Sequence, residues 1–324
     1  MARNPRENRG TGPRHGANPH AKKQGTSPRD NKHPNARRPR ADKPHAKHQR
    51  GGEPRGKSRR AKTRSGEERR SGNRRRLSQN FLADPATARW VVRVAGVGPK
   101  DLVVEVGSGD GAITRFLSPA ARSVIAHELD PQLAARLSDR YRDPARGVRV
   151  VRGDFTRSPA PREPFTVVGN IPYSRTADIV RWCLKAPGLT SATLVTQLEY
   201  ARKRTGAYGR WSRLTVLTWP QWSWRLAGRI GRDRFRPAPR VDAGLLVLTR
   251  RARPLVPQER TGEYRRMVEL GFTGVGGSLA ASLRREYPAR KVAAALRQSG
   301  IAPSAPVGVV TPEQWMGVLR VLAE

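Results

Sequence analysis

The sequence predicts an α/β fold, a largely parallel sheet dressed with helices, preceded by a disordered basic tail and followed by a small helical domain. Three observations lead there. From Leu77 onward, short apolar runs alternate with amphipathic stretches, the pattern of strands joined by crossover helices. Residues 1–76 hold no Val, Ile, Leu, Phe, Trp or Tyr, so they have nothing to bury against the entropy of ordering. Past a charged, proline-containing linker at 250–257 the pattern turns purely helical. The division that follows is a tail over 1–76, a sheet domain over 77–252 and a C-terminal helical domain over 253–324.

In chain order, strands are expected at 102–106, 123–128, 148–151, 165–168 and 192–196, each a short apolar run. Helices are expected between them near 111–117, 132–141 and 177–185. A pair at 214–218 and 244–248 is expected to close the sheet, with Trp219, Trp222 and Trp224 packed into the core. The C-terminal helices fall at 260–270, 279–286, 289–298 and 312–322. The last has the plainest start, with Thr311 as N-cap and Pro312 at the first helical position. No internal repeat is present.

The 324 residues carry 64 Lys and Arg against 26 Asp and Glu, a formal charge of +38. Such an excess calls for a polyanionic partner. Nucleic acid is favoured over membrane, because no apolar run approaches the roughly 18 residues of a spanning helix. The tail holds 25 of the basic and 6 of the acidic residues, half of the net charge. It reads as an arm for nonspecific phosphate contact, the plain alternative being a solubilising extension. A transit peptide fits less well, since the tail lacks an apolar face, and there is no secretory h-region. The single cysteine, Cys183, excludes an intramolecular disulfide and agrees with a reducing cytoplasm.

The chemistry is concentrated at the carboxyl ends of the expected strands. After the first comes Glu105-Val-Gly107-Ser-Gly109-Asp110-Gly111, whose alternate glycines permit a tight turn and close approach of a ligand. The spacing departs from the dinucleotide fingerprint, which serves a pyrophosphate. S-adenosylmethionine has no phosphate and carries a positive sulfonium, so the acidic Glu105 and Asp110 suit it better. Glu128 ends the second strand, where a carboxylate can accept from ribose hydroxyls. Asp130, two residues on, is expected only to start a helix. After the third strand, Asp154 can accept from a cofactor's exocyclic amine and Phe155 can cover its adenine ring. Taken alone, a Gly-Asp here is a turn.

Asn170-Ile171-Pro172-Tyr173 follows the fourth strand. An adenine amine is a poor nucleophile because its lone pair is delocalised into the ring. Two acceptors, the Asn170 side-chain oxygen and the Ile171 carbonyl, would favour a tetrahedral nitrogen aimed at a methyl group. Pro172 stiffens that carbonyl and Tyr173 offers a stacking face. A histidine base is not needed: five of the six histidines lie in the tail, and the sixth, His127, is read as structural.

These residues, with Gln79-Asn80-Phe81-Leu82, 197–206, 210–213 and 235–242, resemble the erythromycin-resistance (Erm) family of rRNA adenine dimethyltransferases. The resemblance spans nearly all of 77–250 in family order. It implies a Rossmann-like S-adenosylmethionine methyltransferase acting on N6 of one adenine in the peptidyl-transferase region of 23S rRNA, with macrolide, lincosamide and streptogramin B resistance as the result. It further implies that Gln79, the Asn80 backbone and Leu82 line the cofactor's methionine and ribose end, and that Phe235 closes over the target base opposite Tyr173. Tyr200 stands where relatives often carry Phe. Two alternatives stay open: the small-subunit rRNA dimethyltransferase that shares this cleft, and a non-catalytic rRNA-binding assembly factor. Arg202, Lys203, Arg204, Arg210 and Arg213, interleaved with Tyr208 and Trp211, are the expected RNA contacts, against a solvated helix face with two core aromatics. A cytoplasmic monomer without metal is expected, and whether one or two methyl groups are added is left open.

Overall fold

A computed structural model describes residues 80–323, so the basic tail and Gln79 lie outside the described residues. The chain enters on a two-residue strand, β1 (Phe81–Leu82), and turns into α1 (Pro85–Ala95). That helix is absent from the expected elements, yet its start is well marked. Asp84 accepts from the N–H groups of Ala86 and Thr87, and Pro85 occupies the first turn.

Alternating strands and helices follow: β2 (Leu102–Val106), α2 (Thr114–Leu117), β3 (Ser123–Glu128), α3 (Pro131–Arg140), β4 (Val148–Arg152) and β5 (Phe165–Asn170). Asp130 caps α3 through the N–H groups of Gln132 and Leu133, the minor role expected of it. Next come α4 (Thr176–Lys185), β6 (Leu189–Gln197), α5 (Leu198–Arg204), α6 (Arg213–Thr218), β7 (Trp222–Ile230), β8 (Phe235–Arg236) and β9 (Ala243–Arg250). Helices α7 (Thr261–Gly271), α8 (Leu279–Leu283), α9 (Ala289–Gln298) and α10 (Pro312–Leu322) complete the described chain.

The main sheet has seven strands in the order β4-β3-β2-β5-β6-β9-β7. From β4 to β6 all neighbours are parallel, and β9 runs antiparallel to both β6 and β7. All five residues of β2 are buried, as befits a central strand covered on both faces. The chain leaves β2 towards β3 and β4, then crosses back to β5 and β6. The switch between β2 and β5 therefore opens a crevice at their carboxyl ends, where Val106 pairs with Gly169.

The segment at 214–218 corrects the expectation: it is helix α6, not a strand. Ser212 caps it through the Thr215 N–H, and a run of five residues is too short to display a period. The true partner of β9 is β7, whose Arg225, Gly228 and Arg229 interrupt the apolar pattern that would announce a strand. Helix α2 begins three residues later than expected, because the glycine turn runs on to Ile113. Helix α8 stops at Leu283, short of the expected 286. Trp222 and Trp224 are core residues and Trp219 packs beside them. Helices α7 to α10 gather a core of their own around Tyr264, Met267 and Trp315, to which α6 contributes Val216.

Candidate active site

A cleft opens at the β2/β5 switch. Its walls come from the ends of β2 to β5: Gly107 and Gly109, Glu128, Asp154 and Phe155, and Asn170 to Tyr173. Asn80 and Phe81 close it from the entering strand. A smaller crevice beside it reaches Leu82, Glu105 and Asp110. Residues singled out at the ends of four separate strands thus share one place.

The glycine turn is built to hold itself rather than a phosphate. Gly107 and Ser108 donate to the His127 carbonyl at 3.0 and 3.1 Å, and Gly111 donates to Ser108 O at 2.8 Å. The Gly109 N–H is taken by Glu128 Oε2 at 2.7 Å. With these amides satisfied, the turn offers no nest of free N–H groups to an anion. Gly109 has to be glycine: its φ is +57°, and a Cβ there would stand 3.1 Å from the Phe81 ring. Gly107 approaches the Asn170 carbonyl in the same way. Gly111 lies outside the cleft, packed against Leu137 and Arg140, so its part is in the turn alone.

Two carboxylates, Glu128 and Asp154, line the cleft, and a third, Glu105, borders the smaller crevice beside it. Glu105 is buried and holds one side-chain bond, from the Thr114 hydroxyl at 2.6 Å. Burial, reinforced by the charge of Glu128, pushes its pKa up to about 7. Glu128 uses one oxygen for Gly109 and the other for the Asp130 N–H at 2.8 Å, and burial raises its pKa too. Each of its oxygens keeps a lone pair for a further donor. Asp154 is lowered instead: burial would raise it, but donors from Thr156 and Arg175 prevail.

Asn170 is held in one sense. Its Nδ2 donates to the Asn80 carbonyl at 2.7 Å, and since a carbonyl only accepts, Oδ1 is left as the acceptor. Tyr173 is half-buried, and burial pushes its hydroxyl up to about 12. Phe155 lines the cleft with one edge but packs chiefly into the core, its centroid 4.2 Å from that of Trp182.

Phe235 departs from expectation. It is fully buried, pairs with Leu82 across the β1–β8 ribbon and belongs to the core rather than the cleft wall. Leu82 is likewise core and touches only the smaller crevice, while the cleft-facing ring of that segment is Phe81. His127 lies in the cleft wall, and burial with the charge of Arg149 lowers its pKa to about 4, so it is neutral. Arg175 and Thr156 also line the cleft, and nothing in the sequence pattern marks them.

Helix α5 starts at the end of β6, beside the cleft edge where Asn170 pairs with Val195. Lys203, Arg210 and Arg213 are exposed, and Arg202 lies over the exposed Tyr208 ring. Arg204 is tied inward, stacked on Tyr200 and donating to Ser212 Oγ at 2.8 Å. Trp211 is half-buried, packed edge-on against Trp219 and against the C-terminal core. Among the described residues no helix is long and apolar enough to cross a membrane, and no cluster of metal-ligating side chains occurs.

A doubly wound sheet whose switch-point crevice is acidic, free of phosphate-binding amides and closed by an Asn-Ile-Pro-Tyr turn defines a Rossmann-like methyltransferase. The family model described as ribosomal RNA adenine dimethylase matches residues 70–324. The chain belongs to that family, and is an rRNA adenine methyltransferase. An rRNA adenine N-6-methyltransferase of Streptomyces fradiae is 57% identical over 249 residues, 76% of this chain and 78% of the relative. The mycinamicin-resistance protein MyrB of Micromonospora griseorubida is 37% identical over 248 residues, again 76% and 78%. The crystal structure of the 23S rRNA methyltransferase ErmE superposes with a TM-score of 0.74 at 46% identity, covering 76% of this chain and 100% of that one.

Proposed function

We propose that the chain methylates N6 of one adenine in the peptidyl-transferase region of 23S rRNA, with S-adenosylmethionine as donor, and thereby confers macrolide, lincosamide and streptogramin B resistance. The observation that carries this reading is the meeting of the acidic cleft with the Asn170–Tyr173 turn at one switch point. Relatives named for 23S rRNA methylation and for mycinamicin resistance support the substrate and the outcome.

The residues present fit the donor. Glu105 and Asp110 border the crevice where a cationic methionine end would sit, Glu128 has lone pairs for ribose hydroxyls, and Asp154 for an adenine amine. When bound, S-adenosylmethionine supplies an electrophilic methyl group on sulfur. The chain's own part is to present the nucleophile. Asn170 Oδ1 and the Ile171 carbonyl accept from the target amine, and Tyr173 stacks the base, at the cost of about a few kcal/mol to flip it from its RNA. Lys203, Arg210, Arg213 and Arg202 hold phosphates near the cleft edge, and the basic tail adds contacts without sequence preference. Residues 77–252 form the catalytic domain and 253–324 the helical one. The enzyme is read as a monomer that works in the cytoplasm, where ribosomes are made.

Primer extension on rRNA from cells with and without the gene tests the reading. A new stop at one adenine of 23S rRNA is the expected result. A stop in 16S rRNA instead, or none in either, would overturn it.

A further inference from the structure

One cation in the cleft has no part in the chemistry described so far. Arg175 ends the single 3-10 turn that begins at Tyr173, and it lines the cleft beside Asp154 and Thr156. Its Nη2 donates to Asp154 Oδ2 at 3.1 Å and to Thr156 Oγ1 at 3.0 Å. Its Nε donates to Asp178 Oδ2 at 3.2 Å, and Arg181 holds the other oxygen of Asp178 at 3.0 Å. The guanidinium is therefore braced from helix α4 while it reaches the end of β4.

The consequence falls on Asp154. Its Oδ1 accepts from the Thr156 N–H at 2.9 Å and from the Thr156 hydroxyl at 2.7 Å, while Oδ2 accepts only from Arg175. One lone pair on Oδ2 is left for a further donor. With donors already on both oxygens, the carboxylate can accept from a ligand and has no proton to offer it.

We propose that Arg175 is a specificity-determining positioning residue, which pins Asp154 as an acceptor so that the cleft takes a purine bearing a 6-amino group and rejects its 6-oxo counterpart. This rests on the cofactor reading above. A 6-amino group donates to the free lone pair. A 6-oxo group would face an acceptor with an acceptor, and a site built around a hydrogen bond discriminates strongly against a ligand that cannot make it. Because Arg175 and Tyr173 share one turn, the same backbone carries the cofactor's selectivity and the target-base face.

The test titrates the full-length protein and its Arg175→Ala and Arg175→Lys variants with S-adenosylhomocysteine and the 6-oxo analogue S-inosylhomocysteine. Steady-state methylation of a 23S rRNA transcript is measured alongside, and thermal melts check the fold. The wild type should favour the adenosyl form by about tenfold or more, one hydrogen bond's worth. In Arg175→Ala that preference should collapse to about twofold, with KM for S-adenosylmethionine up about tenfold and kcat changed far less. Arg175→Lys should recover part of the preference. Asp178→Ala, which removes the brace and leaves Arg175 in place, should shift selectivity the same way by a smaller factor. An undiminished preference in Arg175→Ala would overturn the proposal, as would tighter adenosyl binding, which would make Arg175 an obstacle over Asp154. A wild type that binds neither ligand would overturn the cofactor reading itself, and one that binds both equally would remove Asp154 from the 6-amino group; either result overturns the proposal.

Discussion

The proposed reaction asks two jobs of the Asn170 amide, and its two ends can divide them. Nδ2 is spent on the Asn80 carbonyl, which leaves Oδ1 as the acceptor that the target amine would need. Asn170→Ala should lower the single-turnover methylation rate by roughly a hundredfold, the usual order for one group acting in the transition state. Cofactor affinity should fall more modestly, through the released Asn80 strand, and a near-normal single-turnover rate would remove Asn170 from the chemistry. Glu105 makes a prediction of another kind. The folded, empty protein holds its carboxyl proton up to about pH 7, against about 4.5 in the unfolded chain, because burial disfavours the charge. This stabilisation is full below about pH 4.5 and is lost as pH rises through 7, up to about 3 kcal/mol in all. The melting temperature of the cofactor-free protein should therefore drop between pH 5 and 8, and Glu105→Gln should flatten the drop. Affinity for the cationic donor should climb over the same range, and pH-independent behaviour of both would mean that Glu105 is already ionised. At this scale the sequence was legible in which residues meet: Glu128, Asp154 and Asn170, read at separate strand ends, line one cleft. It was opaque where orientation decides. Nothing in its neighbours announces that Phe235 turns into the core, or that Arg175 reaches back over Asp154.

Elements were readable in proportion to how strongly their ends are signalled. Helix α10 matches its expected bounds because Thr311 and Pro312 mark the start, and the structure adds a complete capping box. The Thr311 hydroxyl accepts from the Gln314 N–H at 3.3 Å, and Gln314 Oε1 accepts from the Thr311 N–H at 3.0 Å. Thr311→Ala should cost about 1 kcal/mol, read as a lower denaturant midpoint at unchanged slope. Cofactor affinity should not move, since the box lies on the helical core rather than the cleft; an unaltered midpoint would mean that solvent satisfies those amides equally well. Strand β7 is the counter-example. It pairs with β9 along most of its length, but its exposed arginines and its glycine break the apolar pattern, so local pattern favours the apolar run just before it. That run became α6, whose Val216 and Tyr264-bonded carbonyl anchor the C-terminal core.

At the scale of the whole molecule, the sheet topology does most of the functional work. Reversal of strand order between β2 and β5 gathers residues from Asn80 to Tyr173 into one crevice; the sequence pattern placed the chemistry at the carboxyl ends of strands, and the order of those strands comes from the fold. Charge is the other global property, and half of the net +38 lies in residues 1–76, almost all of them ahead of the family match at 70–324. Every residue assigned to the cleft except Gln79 lies within the described segment, and none lies in the tail. Deleting 1–76 should therefore leave the melting temperature almost unchanged and preserve turnover at saturating RNA. RNA affinity should respond instead. Removing one phosphate-bound cation flattens the slope of log affinity against log salt by about 0.7 to 0.9. If several of the 25 basic residues engage RNA together, the truncated protein binds more weakly at low salt and converges with the full chain at high salt. Preference among RNA sequences should be the same for both, because phosphate contacts position the protein without reading bases. Superimposable salt titrations would show that the tail does not touch RNA, leaving the exposed cations beside α5 to account for the electrostatic part of binding.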